Sequence, residues 1–139
     1  MFRDDDFGLR QLRQIALEFP EAVEKISWGR PAFCAPKIFA MYGGNAKGSP
    51  GRSAPARRKT DGDMTPYSHS VLVKVDESDR KALEHDKRFY FPVYMGPSGW
   101  LGLDLTAAQV DWDEVRELVD ASYRLVAPKR LVRLLDAQA

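Results

Sequence analysis

Residues 86–130, DKRFYFPVYMGPSGWLGLDLTAAQVDWDEVRELVDASYRLVAPKR, constrain the fold more than any other stretch. Phe89 to Tyr94 is an aromatic run, Gly96-Pro97-Ser98-Gly99 is a tight turn, and Trp100 to Leu105 alternates in character. Together they predict a β-hairpin. In its second arm Leu101, Leu103 and Leu105 share one face, while Trp100, Gly102 and Asp104 share the other. That period of two predicts a sheet packed on helices on one face and open on the other. Asp111 followed by Glu114 makes a capping-box-like helix start. Trp112, Val115, Leu118, Val119, Ser122, Tyr123 and Val126 then trace an inward stripe, and Pro128 opens a final helical turn carrying Leu131, Leu134 and Leu135.

Upstream, Leu9, Leu12, Ile15, Ala16 and Phe19 recur at helical spacing, with Asp5 or Asp6 as cap and Pro20 as stop. Residues 22–28 read as a strand. Gly29-Arg30-Pro31 reads as a turn into a second extended stretch, Ala32 to Tyr42, interrupted or bent at Pro36. His69 to Val75 is a third strand with Val71, Val73 and Val75 on one face. Glu77 to His85 is a short helix with Asp76 or Ser78 near its cap and Ala82 and Leu83 inward. The order is α-β(3)-α-β(2)-α. Neighbouring strands with short links imply an α+β two-layer sandwich, an antiparallel sheet of about five strands with helices gathered on one face.

Between Gly43 and Pro66 the composition shifts to Gly, Ser, Ala and Pro, with Lys47, Arg52, Arg57, Arg58 and Lys59 and no acid before Asp61. Such a segment has little to bury against an ordering entropy of roughly 1–2 kcal/mol per residue, so a flexible loop is expected over 43–66. It suits contact with a polyanion, and equally a solvated insertion. At 139 residues the chain, 1–139, reads as a single domain carrying that insertion.

Several function classes find no support. A formal net charge of +1 argues against a surface uniformly coated for nucleic acid, and leaves room for a local basic patch. Cys34 is the only cysteine, so no internal disulfide forms, which fits a reducing compartment. The acidic N-terminus resembles no signal peptide, and no run approaches the roughly 18 apolar residues that span a bilayer. A soluble, cytoplasmic protein without membrane contact is expected. His69 and His85 lack the partners of a zinc motif, and Cys34 lacks an identifiable base. No G-x-S-x-G elbow is present, and GGNAKGSPG fails the phosphate-loop pattern because its lysine precedes the last glycines. No catalytic, metal or cofactor site is therefore expected, and the chain leans away from an enzyme.

What remains is aromatic and basic. Trp28, Arg30, Lys37, Lys74, Arg88, Tyr90 and Trp100 are the candidate binding residues: the cations to neutralise phosphates, the rings to stack on bases or provide shape. The same grouping suits a peptide groove, and the rings equally suit a core beneath the helices.

WGRPAF (28–33), KIFAMY (37–42), VLVKV (71–75), GPSGWLGLDL (96–105) and DWDEVRELVDASYRLVAPKRL (111–131) carry a family resemblance. The chain resembles the MmcQ/YjbR-like family of small bacterial proteins. That resemblance implies an α+β fold similar to type III secretion chaperones, and DNA binding through a double-wing arrangement, with no established catalysis. The expected function is non-enzymatic binding of nucleic acid, DNA foremost, through the open sheet face. The alternative is a protein- or peptide-interaction module, as monomer or homodimer.

Overall fold

The computed structural model describes residues 3–47, 64–93 and 95–138. The first helix, α1 (Leu9–Ala16), buries Leu9, Leu12, Ile15 and Ala16, as its spacing predicts. Its cap differs from the expected aspartate. Gly8 occupies the N-cap without a side-chain bond, and Asp6 contributes only its backbone carbonyl, to the Leu9 amide. The helix ends before Pro20, and the turn that follows delivers Phe19 into the core.

Strands β1 (Val23–Ser27) and β2 (Arg30–Cys34) form a hairpin with only Trp28 and Gly29 between them, both at positive φ (57° and 76°). Two such residues make the mirror-image turn whose twist matches that of paired strands. The turn thus falls one residue earlier than expected, and Arg30 and Pro31 belong to β2. The long extended stretch divides at the cis Ala35–Pro36 peptide, giving β3 (Ile38–Lys47) as a separate strand and six strands rather than five.

β3 and β4 (Met64–Lys74) pair outward as far as Lys47 with Met64, with a register shift between Tyr42 and Gly44. Residues 43–47 and 64–66 of the expected loop are therefore strand; residues 48–63 lie outside the described residues. Backbone ladders need no side-chain hydrophobicity, which is why composition understated the hairpin's length.

In α2 (Glu77–Leu83) Asp76 caps the Asp79 amide at 2.8 Å. Leu83 is half-buried, but Ala82 is exposed rather than inward. β5 is short, Phe89–Tyr90, and pairs with β6 (Trp100–Asp104). The chain leaves the sheet at Phe91-Pro92, where proline has no amide to continue a ladder. It crosses to the β3 side, where the Val93 amide bonds the Asn45 carbonyl at 2.8 Å, and returns through a 3₁₀ turn at Gly96–Ser98. The antiparallel sheet runs β1-β2-β3-β4-β6-β5. α3 (Trp112–Val126) and α4 (Lys129–Gln138) complete the chain.

All the helices that pack on the sheet do so on one face. Leu9, Leu12, Val115, Val119, Tyr123 and Leu131 meet Phe33, Phe39, Val71, Val73, Leu101 and Leu103 in one core. Burying a side chain of this size is worth roughly 1.5–3 kcal/mol, so this layer dominates stability. Ala32, Cys34, Met41, Ala46, Leu72, Tyr90 and Trp100 form a second, smaller cluster on the opposite face, and no helix residue belongs to it. That face is free of helices but not bare, because its own rings, Tyr67 and Met95 pack on it.

Gly102 shows how tightly they do so. A Cβ there would stand 2.3 Å from the Tyr90 ring. Gly102→Ala is expected to lower stability by about 1–3 kcal/mol in denaturant titrations, by displacing that ring.

Candidate functional site

Strand alternation decides which side chains reach the helix-free face. Glu24 of β1 turns to the helix layer, where Arg13 of α1 donates to it at 2.9 Å. Lys25 therefore points to the other side, where its charge acts on the Cys34 thiol. Arg30, Ala32 and Cys34 follow on β2, Met41 on β3, Ser70, Leu72 and Lys74 on β4, Trp100, Gly102 and Asp104 on β6, and Tyr90 on β5.

The rings on this face divide into two kinds. Tyr90 (9% exposed) and Trp100 (8%) are packed away rather than offered to a ligand. Tyr90 stacks on Tyr67 with centroids 3.9 Å apart and planes within 10°, and its hydroxyl meets Ser70 Oγ at 2.7 Å. Burial pushes the Tyr90 phenol above its ordinary value, although the Ser70 bond opposes this. Tyr67 falls between the expected loop, 43–66, and the strand expected from His69, so nothing in the sequence pattern singles it out. Trp28 is the opposite case at 91% exposed. Its φ of 57° is a conformation that bulky residues avoid, at a cost of about 1–2 kcal/mol.

Beside Trp28 lies a cleft of about 260 Å³. Trp28 and Arg30 line it from the β1–β2 hairpin, Met41, Gly43, Gly44, Asn45 and Leu72 from β3 and β4, and Pro92, Val93 and Met95 from the crossing segment. The Arg30 guanidinium lies over Gly43, where a Cβ would stand 2.4 Å from Nη1. The guanidinium ends a flexible side chain and can move aside, so it is the φ of 85° that favours glycine here.

Ion pairs engage some cations and leave others, among them Arg10, Lys81, Lys129 and Arg133 on the helices, without one among the described residues. Arg13, Arg80, Arg116, Arg124 and Arg130 all pair with carboxylates. Among the described residues, no ion pair engages Lys25, Arg30, Lys37 or Lys74. Lys74 runs beside Gly99, and Lys37 is exposed in the β2–β3 connection. Asp104 is the acid placed on this face, and its carboxylate accepts from the Thr106 amide and hydroxyl at 2.9 and 2.7 Å.

Arg88 is not brought to the cleft. It donates to both Asp86 (2.7 and 3.0 Å) and Glu114 (2.8 and 2.9 Å), tying the β5 approach to the start of α3. These bonds, Glu114 first, raise the guanidinium pKa further, and Arg88 holds the Asp86 carboxyl below its usual range. Glu114 is thereby diverted from a reciprocal capping box, and Asp111 alone caps α3, at 3.0 and 3.3 Å from the Asp113 and Glu114 amides.

Groups considered for catalysis lie elsewhere or are blunted. Burial pushes the Cys34 thiol up, away from the thiolate a nucleophile needs. The Tyr42 hydroxyl donates to the Phe7 carbonyl and meets His69 Nδ1 at 2.9 Å, a structural link from β4 to the chain before α1. Among the described residues no three His, Cys, Asp or Glu side chains gather as a metal-binding group, and no helix is long and apolar enough to cross a membrane.

The YjbR family model matches residues 17–125, from the end of α1 through nearly all of α3. The chain belongs to the YjbR family. The resemblance read from its strand and helix motifs is borne out. The fold of this YjbR-family chain is similar to that of Deinococcus radiodurans protein DR2400, a DUF419-domain protein, with a TM-score of 0.56 and 19% identity over 91% of this chain and 83% of that one. No curated protein matches the chain.

The Arg88 pairs yield a pH test. Because folding depresses the Asp86 pKa, the stability it contributes is present above the ordinary carboxylate value and is lost as pH falls through the folded one. Arg88→Ala is expected to cost on the order of 1–3 kcal/mol at pH 7. The gap between variant and wild type should close below about pH 4 in denaturant titrations run across pH.

Proposed function

We propose that this YjbR-family protein is a non-enzymatic nucleic-acid-binding protein, with DNA as the ligand and the helix-free sheet face as the surface. The observation that carries the reading is Arg30, in no ion pair with a described residue and beside the exposed Trp28, with Lys25 and Lys74 on the same face and Lys37 in the adjoining connection. Cations free of carboxylate partners release counterions when they meet phosphates, while a planar ring next to them can stack on a base. A formal charge of +1 supplies no general attraction, so attraction must come from such a local arrangement. Relative to the sequence expectation, the contact set contracts: Tyr90 and Trp100 support the face from within, and Arg88 serves the fold.

Binding of labelled DNA measured by anisotropy across salt tests this. Affinity should fall by about 0.7–0.9 log units per log unit of salt for each phosphate contacted. Arg30→Gln and Lys74→Gln should each weaken binding and flatten the slope by about one contact. Arg88→Ala should leave affinity and slope unchanged. Absence of binding at low salt, or binding indifferent to salt, ends the proposal.

The apolar lining of the cleft, Met41, Leu72, Pro92, Val93 and Met95, favours a second reading, in which a peptide or a second copy docks there. Such a partner would use Trp28 as an anchor, and Trp28→Ala should then cost about 2–4 kcal/mol of a salt-insensitive association. Sedimentation and partner co-purification distinguish the two.

A further inference from the structure

Resting on the nucleic-acid reading above, we infer that the cleft beside Trp28 receives one unpaired base of a single strand, with Arg30 on the adjoining phosphate. Three observations converge on this. Trp28 occupies the first position of a mirror-image two-residue turn, where Asn, Asp or Gly is at ease. At 91% exposure it recovers almost nothing by burial. Neither local conformation nor packing accounts for a tryptophan there, and strain held by surrounding structure is characteristic of ligand sites. An indole at the rim of a cleft is a stacking platform.

The cleft has the dimensions and the floor such a ring needs. Its volume of about 260 Å³ lies below that of sites for drug-sized ligands and suits a single planar group. Gly43 and Gly44 form part of its floor as bare backbone. A side chain at Gly44 would strike the Tyr90 hydroxyl at 2.6 Å, so Tyr90, buried and stacked on the half-buried Tyr67, underpins the site without entering it. Pro92 and Met95 close the far side.

The charge is of one sign. Arg30 is the ionised group among the lining residues, no carboxylate accompanies it, and no ion pair with a described residue engages it. A flat ring site flanked by a free guanidinium matches a base attached to a phosphate. In a duplex the base faces are covered by their neighbours, and the grooves admit a protruding helix or ribbon rather than yielding a base to a cleft. A base must be unstacked to enter, so the ligand is single-stranded, its sugar left unspecified.

The test compares three probes: a deoxythymidine oligonucleotide of about 12 nucleotides, within the site sizes of single-strand binders, an abasic strand of equal length and charge, and a duplex of that length. The full-length protein should bind the deoxythymidine strand about 5- to 150-fold more tightly than the abasic one, the span of one stacked base. Trp28→Asn places a residue suited to the turn and should melt no lower than wild type. It should abolish the preference for bases while leaving abasic affinity unchanged. Equal affinity for base-bearing and abasic strands, a preference for the duplex, or a Trp28→Asn variant that still prefers bases overturns the base cleft and leaves the salt-dependent surface standing. Failure to bind any of the three overturns both.

Discussion

Ser122 holds the two layers in register. Its hydroxyl donates to the Phe39 carbonyl at 2.6 Å and accepts the Lys74 amide at 2.9 Å, so one buried side chain of α3 satisfies backbone groups on both β3 and β4. Leaving such groups unpaired in a dry layer costs about 1–3 kcal/mol each, which opposes any sliding of the helix. Tyr123 follows in the next position, its ring 4.9 Å from Phe19 and 5.0 Å from Phe39 and its hydroxyl on the Pro20 carbonyl at 2.7 Å. With α3 fixed across the central strands, one sheet face is consumed. Whatever the protein binds through its sheet must meet the other.

Charge follows that division only in part, since Arg10, Lys81, Lys129 and Arg133 on the helices also lack an ion pair among the described residues. Exposed pairs such as Arg116–Glu18 and Arg130–Glu21 are screened by solvent and contribute little to stability. Their larger effect is to cancel field on the helical side. The Arg88 triad does the same at the β5 end, where a cation would otherwise adjoin the sheet. Lys25, Arg30 and Lys74 keep their charge because the strands that carry them alternate, and their acidic neighbour Glu24 points the other way. On the helix-free face these three cations stand with Asp104 of β6 as the acid of the same sheet face.

The layer arrangement was legible in the sequence because period alone encodes it. Leu101, Leu103 and Leu105 declare a half-buried strand, the stripe from Trp112 to Val126 declares the helix that covers it, and both fall where the spacing places them. What stayed illegible depends on contacts between distant segments. Nothing local distinguishes Arg30, in no ion pair with a described residue, from Arg88, whose partner Glu114 lies 26 residues away. Alternation put Tyr90 and Trp100 on the correct face, but their burial comes with Tyr67 and Met95 packed against them, which no periodicity announces. Trp28 was legible as a candidate, whereas its left-handed turn was not, since Trp-Gly is a poor sequence signature for one.

The departure from the expected hairpin is what gives the face a shape. Had Phe89 to Tyr94 run the length of β6, the sheet would present a broad, nearly flat surface with its rings exposed, suited to stacking and also to edge-to-edge aggregation. Pro92 ends the pairing after Tyr90 and sends the chain toward Asn45 on β3, so that Pro92, Val93 and Met95 stand above the central strands. The β1–β2 turn raises Trp28 on the opposite flank. Two glycines keep the ground between them low, and the hairpin register shift at Tyr42–Gly44 falls at that same place. Concavity here arises from a broken strand, a strained turn and a bulge, each unfavourable or neutral for a sheet taken alone. Their coincidence at one spot, beside Arg30 of β2, is what a recognition site requires and a stability argument does not.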